Sequence, residues 1–159
     1  MHGSVFITAT ERYLSDFGAI SQSKKTVPEN SICVSCIATT GLVSITSMPS
    51  QTNQQINTII CSNEVSYIYV YLYMKSLANH ISTLASSGSA TPNLNKAQFS
   101  KINVLIPDMK VATSFHEILH GSFELIKHNQ RENRILAALR DTLLPKLMSG
   151  EIEVPVEVE

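Results

Sequence analysis

The stretch VATSFHEILHGSFELIKHNQRENRILAALRDTLL, residues 111–144, decides the architecture: it holds no proline, a single glycine at Gly121, and apolar side chains at helical spacing. Phe115, Leu119, Ser122, Ile126, Asn129, Asn133, Leu136 and Leu143 advance in steps of three and four, with one step of seven. Such a row is the seam of a coiled coil, because residues three and four apart share one helix face. Ile118, Leu125 and Ile135 widen the stripe, so the helix is expected to pack on more than one surface. Asn129 and Asn133 weaken the middle of the seam while fixing its register and partner number. A helix of this length spans about 50 Å, far beyond the mean helix. A small domain cannot cover all of it, and part of the stripe is expected to face another chain or domain.

Upstream the period changes to that of strands. Residues 31–46 read as two strands around a turn at residues 39–41, with β-branched side chains frequent and Gly41 at the reversal. Pro28, Glu29 and Asn30 make the turn leading in, and Met48, Pro49 and Ser50 end the pair. Residues 57–61 read as another short strand. Residues 64–85 carry Val65, Ile68, Leu72, Leu77, Ile81 and Leu84 near helical spacing, and a helix is expected there, although tyrosines at 67, 69, 71 and 73 also suit a strand. Residues 85–95 form a small, polar loop, and residues 102–106 a last strand closed by Pro107. The expected fold is α+β: a β-rich domain over residues 1–108, one long coiled-coil-forming helix over 109–148, and a C-terminal strand and acidic tail over 149–159.

At 159 residues, 43% hydrophobic and 16% charged, the chain carries enough apolar side chains for one core. No stretch approaches the roughly 18–20 uninterrupted apolar residues of a membrane span. The start, MHGSVF, lacks the basic and apolar regions of a secretory signal, so a cytoplasmic protein with no membrane contact is expected. Net charge is −1, but residues 1–110 carry seven Lys/Arg against five Asp/Glu, and residues 111–159 five against eight. A mildly positive body with a negative tail permits nucleic-acid binding without indicating it. Three cysteines in such a chain argue against disulfides. Cys33-x-x-Cys36 has zinc-like spacing but no second pair, and it falls in an expected strand, where residues three apart face opposite sides.

His116-Glu117-Ile118-Leu119-His120 matches H-E-x-x-H, in which two histidines one helical turn apart hold zinc and the glutamate activates water. The extended form wants Gly three residues after the second His and a third His three later; Phe123 and Ile126 stand there. The seam continues through the segment and the strands precede it, so the histidines read as flank residues of a long helix, with a zinc hydrolase as the lesser alternative. No G-x-S-x-G, phosphate-binding glycine loop or G-x-G-x-x-G occurs, and no catalytic residue, metal or cofactor is assigned.

Residues 140–152, RDTLLPKLMSGEI, closely resemble the segment that closes type I restriction-modification specificity subunits, where a long helix ends in this pattern and a short strand follows. Pro145 is expected to stop the helix, residues 146–148 to add at most one turn, and Ser149-Gly150 to end it. Residues 87–96, SGSATPNLNK, with Phe99, Ile102, Ile106 and Pro107, resemble the loop-strand-proline unit that leads into that helix. Residues 32–45 and TNQQIN at 52–57 resemble the family's hairpin and its Asn-Gln element. The similarity covers about residues 10–154. Family recognition domains begin several tens of residues earlier, so the domain is expected to be N-terminally truncated. An arginine often found in the first hairpin is replaced near Ile37. Full-length members carry two recognition domains and two long helices, where this chain has one of each.

The resemblance implies a non-enzymatic specificity subunit that reads one part of a bipartite double-stranded DNA target. Its partners would be modification subunits, which bind S-adenosylmethionine and methylate adenine, and restriction subunits; the chain itself would bind no cofactor. The residue types agree, because base edges are read by amides and hydroxyls while phosphates take Lys and Arg. Thr39, Thr40, Gln51, Asn53, Gln54 and Gln55 gather around one hairpin end, Ser89, Thr91, Asn93, Asn95 and Lys96 in the polar loop, and Lys24 and Lys25 before the first strand. In the family the long helix pairs antiparallel with a second one from the same chain. Here two chains are expected to pair into a twofold dimer through Phe115, Leu119, Ile126, Asn129, Asn133, Leu136 and Leu143. The competing reading is a helix-driven scaffold that no longer reads DNA.

Overall fold

Turn residues at 28–30 and 48–49 bracket a stretch of β-branched and small side chains, and this stretch forms the expected hairpin at the centre of the domain. The computed structural model describes residues 3–62, 64–86 and 91–153. In chain order its elements are β1 (Phe6–Ile7), α1 (Asp16–Ser21), a 3₁₀ turn (Ser23–Lys25), β2 (Thr26–Val27), β3 (Ile32–Ser35), β4 (Val43–Thr46), β5 (Ser50–Gln51), β6 (Ile56–Ile59), α2 (Tyr67–Ser76), α3 (Ala78–Ser86), α4 (Lys96–Phe99) and α5 (Met109–Met148). The fold is α+β. β3 and β4 pair antiparallel with Ile32 opposite Ile45 and Val34 opposite Val43. β6 joins the outer side of β3 and β1 lies parallel to β4, giving the order β1-β4-β3-β6; β2 and β5 make a separate ribbon. Ile32, Val34, Val43 and Ile45 enter the core with Phe6, Ile68, Met74 and Ile81. Cys36 joins that core while Cys33 sits outside it near Thr58, as residues three apart on a strand require. Burial raises the pKa of both thiols.

Residues 64–85 do not form one helix. α2 ends at Ser76 and α3 starts at Ala78, with Leu77 between them. Neither proline nor glycine stands at this break, so its cause is tertiary. The hairpin tip presses on α3: Ser82 Oγ donates to Thr40 O at 3.0 Å, and a Cβ placed on Gly41 would meet Ala78 O at 2.6 Å. The tyrosines at every second position resolve into two i,i+4 pairs. Tyr67 and Tyr71 are buried, Tyr71 edge-on to Phe123 of α5 at 5.8 Å. Tyr69 and Tyr73 turn to residues 102–106 and donate their hydroxyls to Leu105 O at 2.6 Å and Asn103 O at 3.3 Å. Residues 102–106, expected as a strand, are therefore extended without joining a sheet, because tyrosine hydroxyls, not a neighbouring ladder, take up carbonyls of this segment.

α5 runs 40 residues and passes through Pro145, which was expected to stop it. Proline so close to the C-terminus removes one backbone donor yet leaves the last turn to close on Ser149 and Gly150, whose φ is +74°. The short strand expected after it is absent from residues 151–153, and residues 154–159 lie outside the described residues. The first part of α5 lies against the domain through Ala112, Phe115, Leu119, Phe123 and Ile126. Polar groups then continue the same line. Lys127 bonds Glu124 at 2.9 Å and Glu29 at 3.1 Å. Phe6 N donates to Gln130 Oε1 at 2.9 Å, Arg131 to Ser47 O at 3.2 Å, and Arg134 to Thr8 O at 3.0 Å. Burial alone would lower the Lys127 pKa, but the bonds to Glu124 and Glu29 outweigh it and hold the ammonium above the ordinary lysine value.

On another side of α5, Ile118, Ser122, Leu125, Asn129, Glu132, Leu136, Leu139, Leu143 and Leu147 also step by threes and fours, and all are exposed. The helix therefore carries two stripes. Of the seam expected from sequence, Phe115, Leu119 and Ile126 belong to the inner stripe and pack on this chain's own core. Asn129, Asn133, Leu136 and Leu143 are exposed, Asn133 at the border between the stripes. One unbroken row through all seven residues is thus not a single surface, because a row of threes and fours drifts around a straight helix by about 20° per heptad.

Gly41 gives the first test. Its φ of +81° and its approach to Ala78 leave no room for a side chain. Gly41→Ala is expected to destabilise the fold by about 2 kcal/mol or more, read as a lower urea midpoint.

Candidate nucleic-acid interface

Three chain segments meet at the hairpin end of the sheet. The tip between β3 and β4 places Ala38 in the left-handed region, φ +61°. Ala38 N donates to Pro92 O at 3.0 Å, Leu94 N to Cys36 O at 2.8 Å, and Ile37 bridges Asn93. The same tip reaches the β5–β6 turn, where Cys36 N donates to Gln55 O at 2.8 Å. Leu94 is fully buried and pins the polar loop from beneath, and Asn57 Nδ2 donates to Leu94 O at 3.4 Å. Residues 37–40, 53–55 and 91–96, far apart in sequence, thus form one continuous edge. β2 pairs antiparallel with β5, Thr26 opposite Gln51, so the residues before β2 run toward those after β5. This register carries Lys24 and Lys25 toward the same end.

The candidate residues divide into two groups. Thr39, Gln54, Gln55, Asn93 and Lys96 are exposed, and their side chains make no hydrogen bond with another described residue. Lys24 and Lys25 are exposed with no ion pair among the described residues. Asn53 is exposed but its Oδ1 accepts from Gln55 N at 3.0 Å, leaving the amide nitrogen. Thr91 is exposed on the same edge. The other candidates are occupied with scaffolding. Gln51 Nε2 reaches Ala19 O at 3.0 Å, Gln22 O at 3.2 Å and Thr26 Oγ1 at 3.0 Å, tying α1 to the ribbon. Thr40 is half-buried against Ser82. Asn95 caps α4 in a reciprocal pair with Gln98, so its amide oxygen is used by the backbone. Ser89 lies outside the described residues.

Sequence reading missed α1 and what precedes it. Tyr13, Leu14, Phe17 and Ile20 are exposed beside Lys24 and Lys25, Phe17 at 83%. Their spacing of three and four was a visible helical signal. Asn57 was missed as well; it is one residue of a motif quoted for its neighbours, and only tertiary contact shows that it holds the loop.

The H-E-x-x-H segment lies on α5, with His116 half-buried and His120 exposed. No group of three His, Cys, Asp or Glu comes together among the described residues. Cys61, half-buried, has its thiol pushed up to about 11 by burial alone, which leaves it protonated at neutral pH. No helix among the described residues is long and apolar enough to cross a membrane.

The chain is 50% identical over 154 residues to the type I restriction enzyme HindI specificity subunit of Haemophilus influenzae, covering 96% of this chain and 34% of that protein. It is 32% identical over 92 residues to the type I restriction enzyme MjaIX specificity subunit of Methanocaldococcus jannaschii, covering 58% and 21% respectively. The chain therefore spans about a third of the length of the first relative and about a fifth of the second. The type I restriction modification DNA specificity domain matches residues 3–140, hairpin, polar loop and most of α5 together, and the chain belongs to that family.

Proposed function

We propose that this chain reads one part of a bipartite DNA target for a type I restriction-modification enzyme and supplies no catalytic residue itself. The observation that carries the reading is the single edge formed by residues 37–40, 53–55 and 91–96. It gathers Thr39, Gln54, Gln55 and Asn93, exposed side chains that bond no other described residue, on a scaffold stitched by backbone bonds. Amides suit base edges in the major groove, and Lys24, Lys25 and Lys96 flank them as phosphate contacts. Modification and restriction subunits would perform the chemistry, with the exposed stripe of α5 as their docking side or as a seam between two copies of this chain.

Gln54→Ala or Asn93→Ala is expected to reduce discrimination between target and non-target duplexes by about 1–3 kcal/mol, the worth of a bidentate base contact. Lys24→Ala should weaken all duplexes evenly and flatten the salt dependence. Gln51→Ala should lower thermal stability while preserving sequence preference, since its bonds are internal. The measurement is selection from a randomised duplex pool by the reconstituted methyltransferase at fixed salt. Salt-sensitive binding with no enriched sequence would favour the scaffold reading.

The outer stripe yields a second expectation. Two copies pair through Leu125, Leu136 and Leu139, so Leu125→Asp with Leu136→Asp buries unpaired charge and costs several kcal/mol of association. Ile126→Asp, one residue along but on the inner stripe, should unfold the domain instead. Light-scattering mass at micromolar concentration separates these outcomes. A folded wild-type monomer across that range removes the dimer and leaves DNA reading untouched.

A further inference from the structure

His116 and His120 stand one turn apart on α5 and stack, with ring centroids 5.0 Å apart and 28° between planes. Both line an open cavity of about 570 Å³ between α5 and residues 28–31, 60–62 and 64–67, at the end of the sheet away from the hairpin tip. His116 is held in place: its Nδ1 is hydrogen-bonded to Ser66 Oγ at 2.9 Å, and Tyr67 packs edge-on at 5.7 Å. That bond fixes the ring and leaves Nε2 as the nitrogen available to a ligand. His120 is exposed, and beyond its stacking on His116 it makes no hydrogen bond with another described residue.

Two imidazoles spaced by four residues on a helix share a face and can close on one ion. A hydroxyl that engages the far ring nitrogen is the outer contact that metal-ligating histidines commonly have, since it sets ring orientation. We propose that His116 and His120 form a two-ligand site for a first-row divalent ion that favours imidazole, namely copper, nickel or zinc, with Ser66 as its positioning residue. No third His, Cys, Asp or Glu joins the pair among the described residues, so water fills the remaining positions. The site sits apart from the proposed reading edge and depends on neither DNA binding nor dimerisation.

The test is calorimetric titration of the full chain, stripped of metal by chelator, with nickel, zinc, copper and calcium chlorides. One ion per chain is expected, copper tightest in accordance with the usual order of nitrogen sites, and no saturable heat with calcium, which takes oxygen ligands. His116→Ala and His120→Ala should each weaken nickel binding at least about tenfold, and Ser66→Ala by about 10-fold or more. Ser66→Thr, which keeps the hydroxyl, should restore it. This rescue separates positioning from the cap that Ser66 also gives α2. His128→Ala, exposed on the same helix, and Cys61→Ser, on the cavity wall, should leave affinity unchanged. Circular dichroism establishes that each variant is folded. No saturable heat from the wild type, or undiminished binding in both histidine variants, overturns the site.

Discussion

Phe123 stands edge-on to Phe6 of β1 at 6.3 Å and to Tyr71 of α2 at 5.8 Å, and this contact fixes the rotation of the long helix about its axis. A buried aromatic of this size contributes about 1.5–3 kcal/mol by leaving water, with a further gain from the edge-to-face geometry. Once Phe123 points inward, every other position on α5 is assigned. Leu119 and Ile126 follow it onto the core, Gln130, Arg131 and Arg134 fall beside the ends of the strands, and Ile118, Leu125 and Leu136 are turned outward. The exposed stripe is thus the remainder left when one helix serves a small domain on one side only.

The polar contacts further along do a different job. Lys127 reaches Glu29, and Arg131 and Arg134 reach carbonyls at Ser47 and Thr8, so charged side chains extend the grip where apolar contact has run out. Exposed pairs of this kind contribute little energy each. Lys127 is an exception because it is buried and its ammonium lies 5.6 Å from the centre of the Phe6 ring. Losing either carboxylate would leave a charge with less compensation in that setting.

How much of this was legible beforehand follows from which forces are local. The hairpin was readable because strand propensity and turn chemistry act within residues 28–50. The long helix was readable for the same reason, with Pro145 over-weighted because a proline near a helix end costs only one bond. The family resemblance pointed to the polar loop and the Asn-Gln element. What could not be read was the division of labour among polar residues. Gln51 and Gln54 are the same residue type three positions apart, yet one is tied to three acceptors and the other is free. Register with β2 makes that difference, and register is a tertiary property. The break at Leu77 was hidden likewise, since the segment packed closely beside it, at Gly41, lies far upstream. The expected seam is divided, with Phe115, Leu119 and Ile126 on the core, because two stripes on one helix, read in projection, look like one wide stripe.

The two ends of the sheet have opposite duties. The proposed reading edge lies where β3 ends and β4 begins. The last contacts of α5 with the domain, at Ser47 and Thr8, lie where β4 and β1 end. The helix therefore leaves the domain at the end away from the hairpin tip, and residues 135–148 carry it about 20 Å further. A helix anchored along its first half by a core, then by Lys127, Gln130, Arg131 and Arg134, has no hinge between the domain and its free half. Whatever binds the outer stripe is consequently held at a set distance and angle from the proposed reading edge. For a subunit that reads one part of a split target, that rigidity is what would convert helix length into spacing between the two parts.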